Sequence, residues 1–334
     1  MKMNDTDTRL LELLLHSGGV YQSGEKLSAA LGLTRAAVWK EIDRLRQLGF
    51  VVESATNRGY RLAKTGDFLW PQLVLPEIDS IRKNSIIYYD QVDSTNLEAN
   101  RQLLNGLEDG TVVLADSQTA GAGRLGRSFA SPPGKGVYLS LVYHPTCGVE
   151  KLGLLTSLAG LAVCRAVESL CGCAPVVKWP NDIILNNRKV CGILTRLASD
   201  AETNTITHAI VGIGVNVLAR PWPPELADKA TSLEEATGQA LSRAAVAGRI
   251  LGQLNRMLWE ENWLEHPPES LLPELRRRSC TLGRQVLVTT PAASRQGQAV
   301  DIDSGGELLV QFDTGLERVA AGEVSVRGLL GYLP

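Results

Sequence analysis

Histidine is scarce in this chain of 334 residues: there are four, at positions 16, 144, 208 and 266, all outside the polar motifs described below. No Ser-His-Asp order and no histidine pair at metal-binding spacing is present, which argues against hydrolysis by a histidine base. Cysteine is equally sparse and scattered. Of six, only Cys171 and Cys173 lie close together. A C-x-C without a second cluster lacks the usual zinc spacing, so buried free thiols in a reducing cytoplasm fit better than a metal site or a disulfide framework. Net charge is almost absent, with 34 basic against 36 acidic residues. Binding to nucleic acid must therefore come from a local patch and not from a global field. No apolar run is expected to reach membrane-spanning length, and "MKMNDTDTRL" has acidic residues in place of the apolar core of a signal peptide. The expected location is cytoplasmic. What remains, 44% hydrophobic and 21% charged residues without repeats or low-complexity tracts, is ordinary for a globular chain of two or three domains.

Residues 1–63 read as one compact unit. Leu10, Leu11, Leu13, Leu14 and Leu15 suit a first helix that ends near Gly18-Gly19. "SGEKLSAALGLTRAAVWKEIDRLRQLGF" holds two further helices around Gly32, with Ser23 and Thr34 as N-caps. In the later helix Val38, Ile42 and Leu45 recur at helical spacing, while Arg35, Lys40, Arg44 and Gln47 are expected on the opposite side. "FVVESATNRGYRL" predicts a hairpin turning at Asn57-Arg58-Gly59, with Arg58 at a wing tip. This is a winged helix-turn-helix pattern, spanning Gly24 to Asp43 in its central part, with Arg35, Lys40, Arg44 and Arg58 as DNA-contacting candidates. A three-helix interaction module has the same pattern.

Residues 64–84, interrupted by Gly66, Pro71 and Pro76, form a linker or short bridging segment. Residues 85–281 alternate strand and helix patterns: strands at Ser85 to Tyr89, Thr111 to Ala115, Val137 to Tyr143, Val176 to Lys178, Lys189 to Leu197 and Thr205 to Val217. Helices are expected from Ser94 to about Leu104, through "EKLGLLTSLAGLAVCRAVESLCG", and from about Ser242 to Trp263. Residues 282–334 carry short, evenly spaced strand patterns between glycine turns, the signature of a small barrel ending in Gly322-Glu323-Val324-Ser325. The fold class is α+β and multidomain.

Four stretches of the central region combine polar residues with glycine. Asp93-Ser94-Thr95-Asn96 follows a strand, where hydroxyls and an amide can bind a polar head group or simply cap a helix. Gly121-Ala122-Gly123-Arg124-Leu125-Gly126 has the G-x-G-x-x-G spacing of a dinucleotide fingerprint. The fingerprint needs a helix to follow, and Ser131-Pro132-Pro133-Gly134 leads instead to another strand, so that reading is rejected. The loop's N–H groups can form an anion nest, and Arg124 and Arg127 can fork onto phosphate or carboxylate; an ordinary mobile loop is the alternative. In Lys178-Trp179-Pro180-Asn181-Asp182, Lys178 can stabilise negative charge on an oxygen. Asn181 and Asp182 can position a nucleophile, hold Mg2+, or bond their own turn. In Gly212-Ile213-Gly214-Val215-Asn216-Val217, strand glycines imply close approach to the backbone; Asn216 can meet a base edge or satisfy a bulge.

Taken in order, these stretches resemble the family of bifunctional biotin protein ligases and biotin operon repressors, across almost the whole chain. "KWPND" at Lys178 to Asp182 and "GIGVNV" match in full, and Gly121 to Arg127 follows the family's G-R-G-R-x-G-R loop. The resemblance implies a winged helix-turn-helix, a central mixed α/β domain of the biotin/lipoate ligase type and a C-terminal SH3-like barrel. It implies formation of biotinyl-5′-AMP from biotin and MgATP, then transfer to a lysine of a biotin carboxyl carrier domain of acetyl-CoA carboxylase. Ser94, Thr95, Asn96, Gln118, Ala122, Gly123, Arg124 and Lys178 would bind biotin. Arg124, Arg127, Asn181 and Asn216 would bind the adenylate or ATP. Lys178 and Arg124 would be catalytic, with Asp182 the candidate for orienting the acceptor lysine; Mg2+ would come with ATP and not on protein ligands alone. Loaded with adenylate, the protein would dimerise and bind an operator, repressing biotin biosynthesis. A sensor-repressor without ligase chemistry and a lipoate-type ligase are the alternatives. Three departures stand out: Ala122 for the loop's second arginine, Phe129 for a frequent tryptophan, and Thr195-Arg196 for an apolar residue and Glu. They predict weaker closure over the adenylate.

Overall fold

The computed structural model describes residues 3–148, 151–199, 206–290, 293–321 and 325–328. In the N-terminal unit, α1 (Asp5–His16), α2 (Gly24–Leu31) and α3 (Arg35–Gln47) precede a hairpin of β1 (Val51–Ala55) and β2 (Gly59–Lys64). Local chemistry sets each boundary. Asn4 and Asp7 form a reciprocal capping box, Ser23 Oγ accepts from Lys26 N, and Thr34 Oγ1 accepts from Ala37 N. Gly32 ends α2 in the left-handed conformation that glycine adopts without a Cβ penalty. Val38, Ile42 and Leu45 are fully buried against Leu10, Leu11 and Leu14. Asn57, at φ 62°, turns the hairpin where the sequence predicts it.

The segment that follows is packed. Trp70 precedes α4 (Pro71–Val74), and the Phe68 and Trp70 rings stack at 4.4 Å, with Phe50 of the N-terminal unit 5.3 Å from Trp70. The central region holds β3 (Ile86–Tyr89), β4 (Val112–Ala115), β5 (Gly136–Tyr143), β6 (Val176–Lys178), β7 (Asp182–Leu185), β8 (Arg188–Ser199) and β9 (Ile206–Asn216). They form a seven-stranded sheet in the order β3-β4-β5-β9-β8-β7-β6. β3 and β4 are parallel and the other pairs antiparallel. Thr205, the expected start of the ninth strand, lies outside the described residues.

Helix α5 (Thr95–Leu103) lies against β4, β5 and β9, while α6 (Leu154–Cys171) and α8 (Arg243–Asn255) pack together, with α7 (Leu233–Thr237) and α9 (Leu271–Arg278) completing the helices. Helix α6, with mean hydropathy 1.5 over 18 residues, is long and apolar enough to cross a membrane, where the sequence led us to expect no such run. Most of it is buried against the sheet and α8, the place of a core helix. The helix expected to reach Trp263 instead stays α-helical to Asn255 and widens into a π-turn over Arg256–Glu260. Asn262, at φ 47°, then reverses the chain.

The C-terminal strands β10 (Gln285–Thr289), β11 (Ser294–Ile302), β12 (Leu308–Phe312), β13 (Gly315–Val319) and β14 (Ser325–Gly328) form an antiparallel SH3-like unit in the order β13-β12-β11-β10-β14. It encloses its own core of Val286, Val288, Ala299, Ile302, Leu308, Val310, Phe312 and Val319. Gly322, Glu323 and Val324 of its expected end lie outside the described residues.

Candidate functional site

A cavity of about 660 Å³ opens over β8 and β9, and most of the polar residues singled out in the sequence line it. At one end stand Ser94, Thr95, Asn96 and Gln118. Thr95 N donates to Gln118 Oε1 at 2.9 Å, Gln118 Nε2 donates to Ser131 Oγ at 2.8 Å, and Asn96 Nδ2 donates to Leu194 O at 3.0 Å. Ser140, buried on β5, reaches Thr95 Oγ1 at 2.8 Å and Asn96 Oδ1 at 2.6 Å. Ser94 occupies the N-cap position of α5, but its side chain makes no capping bond. Capping therefore does not account for this buried hydroxyl. The result is a neutral pocket end held in place by fixed hydrogen bonds.

The strand glycines explain themselves by what lies on them. A Cβ on Gly212 would fall 2.4–2.8 Å from the Asn96 amide, and one on Gly214 would fall 2.6 Å from the Phe129 ring. The close approach inferred from the sequence is thus made by the protein's own side chains. Phe129 returns from the glycine loop, which is bonded to itself: Phe129 N donates to Gly121 O and Gly123 N to Arg127 O, both at 2.7 Å. Arg124 crosses the loop to Asn181 Oδ1 at 3.3 Å and to the carbonyl of Ala321 in the C-terminal unit. Burial lowers the pKa of Arg124 from its ordinary value, and the Asp182 carboxylate opposes this.

The other end is cationic. Lys178 ends β6 at 7% exposure. Burial depresses its pKa, Asp182 acts against that shift, and the charges of Lys189 and Arg127 add to it. Asp182 is paired with Lys178 across β6 and β7, and its carboxylate lies 2.6 Å from Lys189 Nζ. Asn181 spends its side chain on Ile193 O at 2.8 Å and on Arg124, not on its own turn. Trp179 inserts into the core of the C-terminal unit; its Nε1 donates to Gly306 O and its backbone N–H to Thr281 Oγ1, both at 3.0 Å. Among the described residues no cluster of three or more histidine, cysteine or acidic side chains could hold a metal.

Asn216 does not join this group. Its strand runs in register with β5 through Gly136, so no bulge needs it, and its Oδ1 accepts from Arg220 Nη2 at 3.3 Å outside the cavity lining. Lys189 and Lys229 also line the cavity and Ser140 braces it, yet no motif spacing marks them in the sequence, where they sit in strand or loop stretches.

On the N-terminal unit, Arg35 and Lys40 are exposed on α3, and Arg58 sits at the hairpin tip 4.5 Å over the Tyr21 ring. Arg44 is not on the exposed face expected for it. Its Nε donates to the buried carboxylate of Asp7 at 2.7 Å, which ties α3 to α1.

Comparison with known proteins agrees with this architecture. Residues 88–216 match the Biotin/lipoate A/B protein ligase family, residues 7–61 an HTH domain, and residues 281–327 the Biotin protein ligase C terminal domain. The chain is 35% identical over 323 residues to the bifunctional ligase/repressor BirA of Bacillus subtilis, covering 95% of this chain and 97% of that protein. The BirA of Escherichia coli is 29% identical over 332 residues, covering 98% and 99% of the two. A biotin protein ligase from Aquifex aeolicus, solved with biotin and ATP, superposes with a TM-score of 0.63 at 31% identity, over 73% of this chain and 99% of that one.

Proposed function

Because the chain belongs to the family of bifunctional biotin protein ligases and repressors, we infer that it makes biotinyl-5′-AMP from biotin and ATP and passes biotin to a carrier-protein lysine. It also uses its N-terminal unit to repress transcription when biotin is plentiful. One observation carries the ligase assignment: a single cavity joins a neutral end rich in hydroxyls and amides to an end holding Lys178, Lys189 and Arg124. A uncharged ureido ring with a carboxylate tail matches the first end by hydrogen bonding and the second by charge.

In this assignment Ser94, Thr95, Asn96 and Gln118 hold the ring, and Ala122, Gly123 and Arg124 line the loop that covers it. A biotin carboxylate oxygen attacks the α-phosphorus of MgATP, the α–β phosphoanhydride bond breaks, and pyrophosphate leaves. Lys178 and Arg124 offset the charge that builds on the phosphoryl oxygens, inside a site where little water screens it. The acceptor lysine, as a free amine, then attacks the carbonyl carbon; the C–N bond forms, the C–O bond to phosphate breaks, AMP departs with the bonding pair, and the amine's extra proton passes to solvent. Asp182, which also holds Lys189, orients the acceptor lysine, and Arg127 and Asn181 face the phosphate side. Asn216 lies on the adenosine side, beyond the cavity lining, where its Oδ1 accepts from Arg220. Residues 1–63, 64–84, 85–281 and 282–334 are the DNA-binding domain, bridge, catalytic domain and barrel. The partners are a biotin carboxyl carrier domain, operator DNA and, once adenylate is bound, a second copy of the chain, all in the cytoplasm. Support for the compartment comes from six free cysteines.

Biotin-dependent exchange of labelled pyrophosphate into ATP tests the assignment. Exchange that requires biotin, ignores lipoate and falls about a hundredfold in Lys178→Ala is expected. Biotin binding without exchange would instead make the protein a sensor-repressor.

A further inference from the structure

Among the described residues, Trp39 is the one aromatic side chain in the group of large apolar residues left exposed, with 55% of its surface in water. It stands on α3, whose inner face is already filled by Val38, Ile42 and Leu45. Arg35 precedes it by four positions, so their side chains are neighbours on the helix surface, and Ala36 and Lys40 form the adjacent exposed pair. The apolar plate is therefore bracketed by cations on the first two turns of the second helix of the motif. In helix-turn-helix proteins those turns enter the major groove and reach base edges. Arg58, held over Tyr21 at the hairpin tip, adds a cation on the same unit.

Cations suit phosphates, but an indole does not. The apolar feature of the major groove is the C5-methyl of thymine. Resting on the repressor assignment, we propose that Trp39 reads sequence directly, its indole lying on a thymine methyl in each operator half-site, with Ala36 beside it. Arg35 Nη2 donates to Glu25 Oε2 at 2.9 Å in an open surface pair that costs little to exchange for a phosphate. The charge around Trp39 favours duplex DNA over an apolar protein surface as the occupant, since a protein partner would have to desolvate this pair and Lys40 together with the ring.

The test starts from duplexes selected out of a random pool by the full chain with biotin and ATP. In the selected site each thymine is replaced singly by deoxyuridine, which removes the methyl and keeps the base pair. One position per half-site should weaken wild-type binding about tenfold. Trp39→Ala should weaken binding to the thymine duplex by a similar factor and be insensitive to uracil at that position, while Trp39→Phe keeps most of the methyl effect. The unfolding midpoint of each variant checks that the fold is intact. A Trp39→Ala protein that selects the same motif with the same affinity and the same methyl dependence overturns the inference alone. A wild type that selects no motif overturns the repressor assignment as well. Unchanged DNA binding with impaired transfer to a carrier domain would place a protein on this face and also overturn it.

Discussion

Lys178 holds its charge where burial works against it. Its depressed pKa means that, between the folded value and the ordinary lysine value, the unfolded chain binds more protons than the folded one. Stability therefore rises with pH across that window, because the cost of burying the ammonium disappears as the proton leaves. Activity must run the other way, since the neutral amine offsets no phosphoryl charge. The first half-reaction, followed by pyrophosphate exchange, should lose rate on the alkaline side at a pH below the ordinary lysine range. Lys178→Met should abolish that limb together with about a hundredfold of the rate, while its thermal midpoint holds or rises. A midpoint that drops by several degrees would mean that the ammonium is structural. Lys178 was legible as a lone lysine leaving an apolar strand before Trp-Pro. Lys189 was not, because nothing in local sequence shows that it folds back onto Asp182.

The glycine loop and β9 show how an element can be readable while its purpose is not. Gly212 and Gly214 announce a close approach, but the groups that approach are Asn96 and Phe129, and Asn96 also bonds Leu194, 98 residues away in sequence. Such contacts bring a helix and a loop onto a strand far away in sequence, and local periodicity names the element but not its partner. Helix α9 is hidden in the sequence because Pro273 and the preceding Pro267-Pro268 look like breakers, although Pro273 falls within the first turn, where no intrahelical N–H is required. Strand β7 was hidden by its neighbour Asn186-Asn187, whose two left-handed residues make the tight turn into β8. The caps of α2 and α3, by contrast, are short-range chemistry and were legible to the residue. In the loop itself, Ala122 lines the cavity at the position where the G-R-G-R-x-G-R pattern has an arginine. Ala122→Arg should place another donor near the adenylate phosphate and slow release of biotinyl-5′-AMP about tenfold, the worth of one charge-assisted hydrogen bond. Release is measured by chasing the labelled adenylate with unlabelled biotin and ATP. An unchanged rate would show that loop closure depends on its main chain alone.

The three units are joined by a few buried polar contacts, and these were the least visible in the sequence. Trp179 carries the "KWPND" turn into the barrel core, and Arg124 reaches Ala321. The larger junction is Arg243, 2% exposed at the start of α8. Its Nε donates to Asp67 Oδ2 at 2.6 Å, its Nη2 to Asp67 O at 2.7 Å and its Nη1 to Asp116 Oδ1 at 2.6 Å. Asp67 lies in the bridge below the DNA-binding unit, next to Phe68 in the aromatic stack, and Asp116 leads from β4 to Gln118 of the cavity. One guanidinium thus fastens the bridge to the strand that feeds the site. Arg243→Met fills similar volume but leaves two carboxylates without their shared cation, a loss of roughly 3 kcal/mol, near the lower end for breaking a buried pair because both aspartates keep some contact with water. Adding Asp67→Asn and Asp116→Asn to Arg243→Met should recover much of that loss, since the charges that drive it are gone. Denaturant melts of the single, double and triple variants check this. If the asparagines recover nothing, the contribution of Arg243 lies in its hydrogen bonds to the carbonyls of Asp67 and Gly136, and the junction is held by geometry and not by charge.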